Sequence, residues 1–145
     1  MFIILCGSFL LSCNQGTNNS ESQSNEAYSM VPYTGMPLNN GAKWKVDSMT
    51  IHNVIRLKVT ANMFRVKPFP ELDTYQLLGG YLINDADTML QQCKMKGAAD
   101  EALHEWLVPI INQSGRLKNI TDTAEERKIF DSVDRRINTF HQYFD

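Results

Sequence analysis

The chain predicts an all-α fold, an antiparallel up-down-up-down four-helix bundle preceded by a short apolar leader and a flexible tether. Three observations carry that expectation. Apolar residues recur at steps of three and four in four stretches, capping residues, prolines and glycines punctuate those stretches at helix-length intervals, and no alternating apolar-polar run competes with them. The 145 residues, 43% apolar with a formal charge of -2, have room for one domain of ordinary composition. Lysine and arginine do not outnumber the acids and no basic run is interleaved with aromatics, so no nucleic-acid partner is expected. No repeat at solenoid period is present.

The first helix begins at Asp47, a suitable N-cap, and runs to about Arg65, ahead of Pro68 and Pro70. Its apolar residues form two stripes, Val54, Leu57, Ala61 and Phe64 on one side and Ile51, Ile55, Val59 and Met63 on another. A helix apolar on two sides is expected to be well buried or to touch two neighbours. The second helix opens at Pro70-Glu71 and runs to about Met95, with Tyr75, Leu78, Leu82, Ala86, Met89 and Cys93 as the strongest periodic signal in the chain. Gly79-Gly80 interrupts it at roughly 1 kcal/mol per glycine relative to alanine, which points to a close helix crossing or a kink. Asp85 and Asp87 read as a solvated edge.

Gly97 suits the C′ position after the second helix, and Asp100 can cap the third. The third helix carries Leu103, Leu107, Ile110 and Leu117 inward with Trp106 on its flank, and ends between Gly115 and Asn119. Pro109 should bend it, because proline cannot donate to the carbonyl of residue 105. Thr123 to Glu126 fits a capping box for the fourth helix, whose stripe is Ile129, Val133, Ile137, Phe140 and Phe144. Short connections favour alternating helix directions.

The first residues form an uncharged apolar run too short to span a bilayer, as in the h-region of a secretory signal, although no lysine or arginine precedes it. Leu10-Leu11-Ser12-Cys13 resembles the lipobox of bacterial lipoproteins. That resemblance implies removal of residues 1–12 as a signal peptide and acylation of Cys13, which becomes the membrane anchor. Residues 13–30 are polar and low in complexity and read as a lipidated disordered tether, residues 31–43 as an irregular strap rich in proline and glycine, and residues 44–145 as the bundle. The expected address is the bacterial cell envelope. Asn14 after the lipid cysteine favours the outer membrane, with the domain in the periplasm or at the surface.

With Cys6 lost and Cys13 acylated, Cys93 is the sole free thiol of the mature chain. Alternating helices bring the start of the first, the end of the second, the start of the third and the end of the fourth to one pole. His52 and Met49 belong to the first of these, Cys93 and Met95 to the second, His104 to the third and His141 to the fourth, all within roughly 10 Å of that end at about 1.5 Å per residue. Thiolate, thioether and imidazole ligands suit Cu(I), and a subset suits zinc or a haem iron. The spacing matches no zinc signature and no haem-attachment motif. Each residue also has a plainer role: Cys93 as a small core residue, Met95 as a gap filler, His104 as a solvated flank, His141 as a partner of a helix C-terminus.

Lys43-Trp44-Lys45-Val46-Asp47, Cys93-Lys94-Met95-Lys96-Gly97, Leu103-His104-Glu105-Trp106-Leu107-Val108-Pro109 and the closing Tyr143-Phe144 resemble a group of small, functionally uncharacterised bacterial envelope lipoproteins over residues 39–145. The resemblance implies a helical fold and an envelope address and supplies no activity. Two functions are therefore expected: a lipid-anchored bundle that binds copper or haem at one pole, or a non-catalytic structural or protein-interaction module without a ligand that meets an envelope protein partner. An enzyme ranks third, since Cys93, His104 and Asp100 or Glu105 diverge in helical phase.

Overall fold

The periodic stretches fold as α1 (Ser48–Arg65), α2 (Leu72–Gln92), α3 (Ala98–Lys118) and α4 (Glu126–Asn138), followed by the single turn α5 (Phe140–Tyr143). The computed structural model describes residues 35–65 and 71–145, and among these there is no β-strand, only two isolated bridges. None of the described helices is long and apolar enough to cross a membrane. Cys13, the tether, the first residues of the strap and the expected start of the second helix at Pro70 lie outside the described residues.

Asp47 caps α1 as its side chain allows: Oδ1 accepts the Thr50 N–H at 2.6 Å. Its second oxygen accepts the Lys94 N–H at 3.1 Å, so one carboxylate joins the start of α1 to the segment after α2. The expected stripes of α1 part company. Val54, Leu57 and Ala61 are buried in the core, whereas Ile55, Val59 and Met63 are 53, 51 and 63% exposed. Of the second stripe only Ile51, at its start, packs against the core; its other three members are exposed, contrary to the expectation that both sides of α1 are covered.

Polar groups join α1 to α2. Buried Asn53 donates to Gln92 Oε1 at 3.0 Å and accepts from Arg56 at 2.6 Å, and Thr60 donates to Asp85 Oδ2 at 2.6 Å. The Arg56 guanidinium lies 3.5 Å from the other Asp85 oxygen. Asp85 is thus a buried, bonded residue rather than part of a solvated edge; a carboxylate on the margin of an apolar stripe can stay inside because its partners arrive on the facing helix.

The core contains Tyr75, Leu78, Leu82, Ala86 and Met89 of α2, Leu103, Leu107, Ile110 and Leu117 of α3, and Ile129, Val133 and Ile137 of α4. Complete burial of a large aliphatic side chain contributes about 1.5–3 kcal/mol. Gly79 lets α2 approach α3 closely: a Cβ there would collide with the backbone at Lys118 N and Ser114 O, while one on Gly80 would meet nothing within 4 Å. The glycine pair thus divides into one close crossing and one open position.

α3 runs through Pro109 as one helix, and Trp106, expected on the flank, is completely buried. Proline leaves the Glu105 carbonyl without its helical donor, and Arg136 of α4 supplies one at 2.8 Å while its Nε donates to the Trp106 carbonyl at 3.1 Å. In return the Trp106 indole N–H donates to the Arg136 carbonyl at 3.2 Å. The expected capping box at Thr123 is absent. α4 starts at Glu126 without a side-chain cap, and Asp122 instead accepts the Ala124 N–H at 2.8 Å, a turn bond that competes with earlier helix initiation. The fourth helix also stops before the C-terminus, at Thr139, whose hydroxyl donates to the Arg136 carbonyl at 2.6 Å.

Beyond that break Phe140 and Phe144 stack at 4.7 Å between ring centroids and meet the Trp106 ring edge-on. Phe144 is extended and pairs with Trp44: Trp44 N–H donates to Tyr143 O at 2.8 Å, Asp145 N–H to Trp44 O at 3.0 Å, and Val46 N–H to Asp145 O at 3.1 Å. The lead-in to α1 is held this way, with Met36 buried and the Trp44 indole donating to Pro37 O at 2.9 Å.

Two stability outcomes follow. Gly79→Ala should destabilise by about 1–3 kcal/mol through overpacking, whereas Gly80→Ala should stabilise by about 0.5–1 kcal/mol through helix propensity, both read as midpoints of denaturant unfolding. Arg136→Met should cost roughly 1–3 kcal/mol by orphaning the Glu105 carbonyl, and a double-mutant cycle with Pro109→Ala, which restores an N–H donor, should shrink that cost.

Candidate functional site

The segment between α2 and α3 gathers the chemically reactive groups. α2 ends at Gln92, three residues before the expected Met95, because Cys93 turns to an extended backbone with ψ of 128° after its N–H closes the last bond to Met89 O. Gly97 has the expected positive φ, 68°, but serves as the residue before α3 rather than the C′ residue of α2. Asp100 consequently lies inside the first turn of α3 and does not cap it.

Cys93, outside any helix, is half-buried rather than on the centre line of a buried face. Its thiol donates to Asp100 Oδ1 at 3.5 Å. His104, one turn further along α3, places Nδ1 2.9 Å from the Asp100 main-chain carbonyl and 3.5 Å from the same carboxylate oxygen. A carbonyl can only accept, so Nδ1 carries the hydrogen, and in the neutral imidazole the lone pair is then on Nε2. Cys93, Asp100 and His104 therefore meet, although helical phase would keep them apart; phase stops applying once Cys93 leaves the helix.

The order of the three groups decides their chemistry. A nucleophilic cysteine needs the imidazole beside the sulfur, with the acid behind it. Here the acid stands between them. Burial pushes the Cys93 thiol above its ordinary pKa, and the carboxylates of Asp100 and Asp47 push it further, against one N–H bond from Met95. The sulfur is held as a thiol, the less reactive form. Asp47 goes the other way. Burial would raise it, but the N–H groups of Thr50 and Lys94 outweigh that effect and hold its carboxyl below the usual range.

The other expected ligands do not join this group. Met95 packs against the core. Met49 and His52 line a separate hollow of about 360 Å³ with Ser48, Arg56 and Gln92. His141 sits edge-on to Phe140, and burial together with Lys58 and Lys43 keeps its imidazole below the ordinary pKa. The contacts of Cys93 and His104 with Asp100 do not make a metal site: among the described residues no group of three His, Cys, Asp or Glu side chains is arranged to hold a metal ion. Asp47 and Asp100 are the residues whose part in this corner exceeds the capping role expected of them. Cap residues have a second carboxylate oxygen to offer, and that is the one signal that could have marked them.

Asp100→Asn should lower the Cys93 pKa and speed its alkylation at a fixed, mildly alkaline pH. A thiol whose folded pKa is raised stabilises the fold fully below its unfolded pKa and loses that contribution as pH rises through the folded value. The alkaline decline of wild-type stability should therefore be steeper than that of Cys93→Ala, as measured by urea unfolding across that range.

No protein family, curated protein or solved structure matches the chain, so a functional reading rests on its own residues.

Proposed function

We propose that the chain is a lipid-anchored cell-envelope protein whose helices form an antiparallel up-down-up-down bundle and which acts as a non-catalytic interaction module. The bundle topology draws support from paired contacts that run in opposite senses. Asn53, Thr60 and Phe64 of α1 meet Gln92, Asp85 and Tyr81 of α2 in descending order, and Cys93, Gly79 and Gln76 meet Asp100, Ser114 and Ile120 likewise. The address rests on the Leu10-Leu11-Ser12-Cys13 lipobox, with residues 13–30 as the tether; Asn14 favours the outer membrane.

One observation carries the interaction role: the exposed row of Ile55, Val59 and Met63, at four-residue spacing on the side of α1 opposite its buried stripe. Leu77 and Tyr81, one turn apart on α2, are also more than half exposed, and the Tyr81 ring lies 6.5 Å from Phe64, the residue after Met63. A row of aliphatic side chains left in water contributes little to the fold and suits a second surface.

A second reading, a copper or haem site, keeps one favourable observation: Cys93 Sγ and His104 Nδ1 lie equally close to one Asp100 oxygen, with His104 Nε2 available as a ligand. Two measurements separate the readings. Mass spectrometry of the chain matured in a bacterial host should find Cys13 as a diacylated N-terminus, lost in Cys13→Ser; an unmodified Cys13 would end the anchored reading. Anaerobic Cu(I) and haem titrations should give equal, weak uptake by wild type, Cys93→Ala and His104→Ala. Tight binding that both variants abolish would put the metal reading first.

A further inference from the structure

We propose that Asn40 is a site of spontaneous covalent modification: the main-chain nitrogen of Gly41 attacks the Asn40 carboxamide, and the chain comes to carry aspartate and isoaspartate at position 40. The reaction needs neither the membrane anchor nor the exposed row of α1. Asn40 is the one asparagine of the chain that precedes a glycine. Glycine matters at that place because the attacking nitrogen must come close to the neighbouring carbonyl carbon, and a Cβ on the attacking residue would stand in the way.

The two residues form the tip of a tight turn. Asn39 and Ala42 exchange N–H to carbonyl bonds of 2.9 and 3.0 Å, and between them Asn40 and Gly41 have φ of 50° and 87°, the two positive values that a mirror-image two-residue turn requires. Those bonds engage the N–H groups of Asn39 and Ala42. The Gly41 N–H and the Asn40 carboxamide have no hydrogen-bond partner among the described residues, so attacking and attacked groups are both free. Both residues are exposed, and a Cβ built on Gly41 would meet nothing within 4 Å, which leaves room for a ring to close.

Exposure alone does not single out Asn40. Asn62, Asn84 and Asn112 are exposed too, but they lie within α1, α2 and α3, where the N–H of the following residue is bonded to a carbonyl one turn back. Asn53, Asn119 and Asn138 have their carboxamides engaged, with Gln92 Oε1, Gly115 O and Asp134 O respectively.

In the first step hydroxide takes the Gly41 N–H proton as that nitrogen bonds to Asn40 Cγ. A five-membered imide closes, the Cγ–Nδ2 bond breaks, and the departing nitrogen takes a proton from water and leaves as ammonia. Water then opens the ring at one of its two carbonyls. Opening at Cγ restores the main chain and leaves an aspartate. Opening at the main-chain carbonyl leaves Gly41 joined through Cγ, with Cβ inside the main chain and the α-carboxylate free. One water is consumed, one ammonia is released, and nothing is oxidised or reduced. Either product adds a negative charge to a chain of formal charge -2. The isoaspartate also lengthens the main chain inside the turn, just ahead of Trp44, whose N–H bond to Tyr143 O begins the pairing with the C-terminal residues.

Peptide mapping by mass spectrometry tests the proposal on the purified full chain, held at mildly alkaline pH with and without urea. The peptide that holds Asn40 should gain one mass unit as two separable products, faster as hydroxide rises. The folded chain should convert within about tenfold of the rate of the unfolded chain, because an exposed turn opens at little cost. Hydroxylamine, which captures the imide, should cleave the folded chain between Asn40 and Gly41. Asn40→Gly removes the carboxamide, suits the positive φ, and should abolish both the mass gain and the cleavage. Conversion of the folded chain below that limit would overturn the proposal, since the turn would then shield Asn40. So would equal conversion at Asn62, Asn84 or Asn112, which would deny the turn any part in the choice of site.

Discussion

Pro109 leaves one carbonyl in the middle of α3 without its helical donor, and the C-terminal third of the domain is arranged around the answer to it. Arg136 reaches from α4 to the Glu105 and Trp106 carbonyls, and the Trp106 indole returns a bond to the Arg136 carbonyl. That reciprocal pair fixes how α4 lies on α3. It also requires the Arg136 carbonyl to face the indole, which the end of α4 at Asn138 permits, since the Thr139 hydroxyl and N–H share the same oxygen. Once α4 stops there, Phe140 and Phe144 can close over Trp106, and Phe144 brings the last residues against Trp44. An internal proline is tolerated because a guanidinium with several donors lies opposite.

The two halves of the domain are joined by different physics. α2, α3 and α4 meet through aliphatic and aromatic side chains and one glycine crossing, with the Arg136–Trp106 bonds added between α3 and α4. α1 contributes an apolar stripe of its own but meets α2 along Asn53, Arg56, Thr60, Asp85 and Gln92. A bonded polar seam of this kind admits few registers, since a slip of one residue would strand several buried groups at once. α1 is thereby fixed in rotation about its axis, and its outer row is fixed with it.

Helix existence and most apolar stripes were legible in the residues, because three-four periodicity in Tyr75 to Met89, Leu103 to Leu117 and Ile129 to Ile137 has one physical interpretation. The ends were less so. Cys93 leaves the helix although it continues the α2 stripe, and Asp122 displaces the Thr123 capping box, since both outcomes depend on competing local hydrogen bonds that pattern does not rank. Asp85 and Trp106 were misplaced for a related reason: their burial depends on partners from another helix, Thr60 and Arg56 for one and Arg136 for the other. Composition marked the residues of the candidate corner, Cys93 and His104. Their order around Asp100, which adds to burial in raising the thiol pKa, depends on the extended backbone at Cys93 and could not be read from spacing.

Trp44 and Phe144 lie about a hundred residues apart, yet the backbone bonds between residues 44–46 and 143–145 place them side by side. This pairing has a mechanical consequence. A pull on the chain ahead of Gly35 reaches the short parallel pairing and the indole bond to Pro37 before it reaches α1. Behind those bonds the Phe144 ring is buried against Trp106. The C-terminal residues thus act as a clasp, and tension from the N-terminal side meets the aromatic core before any helix begins to unwind.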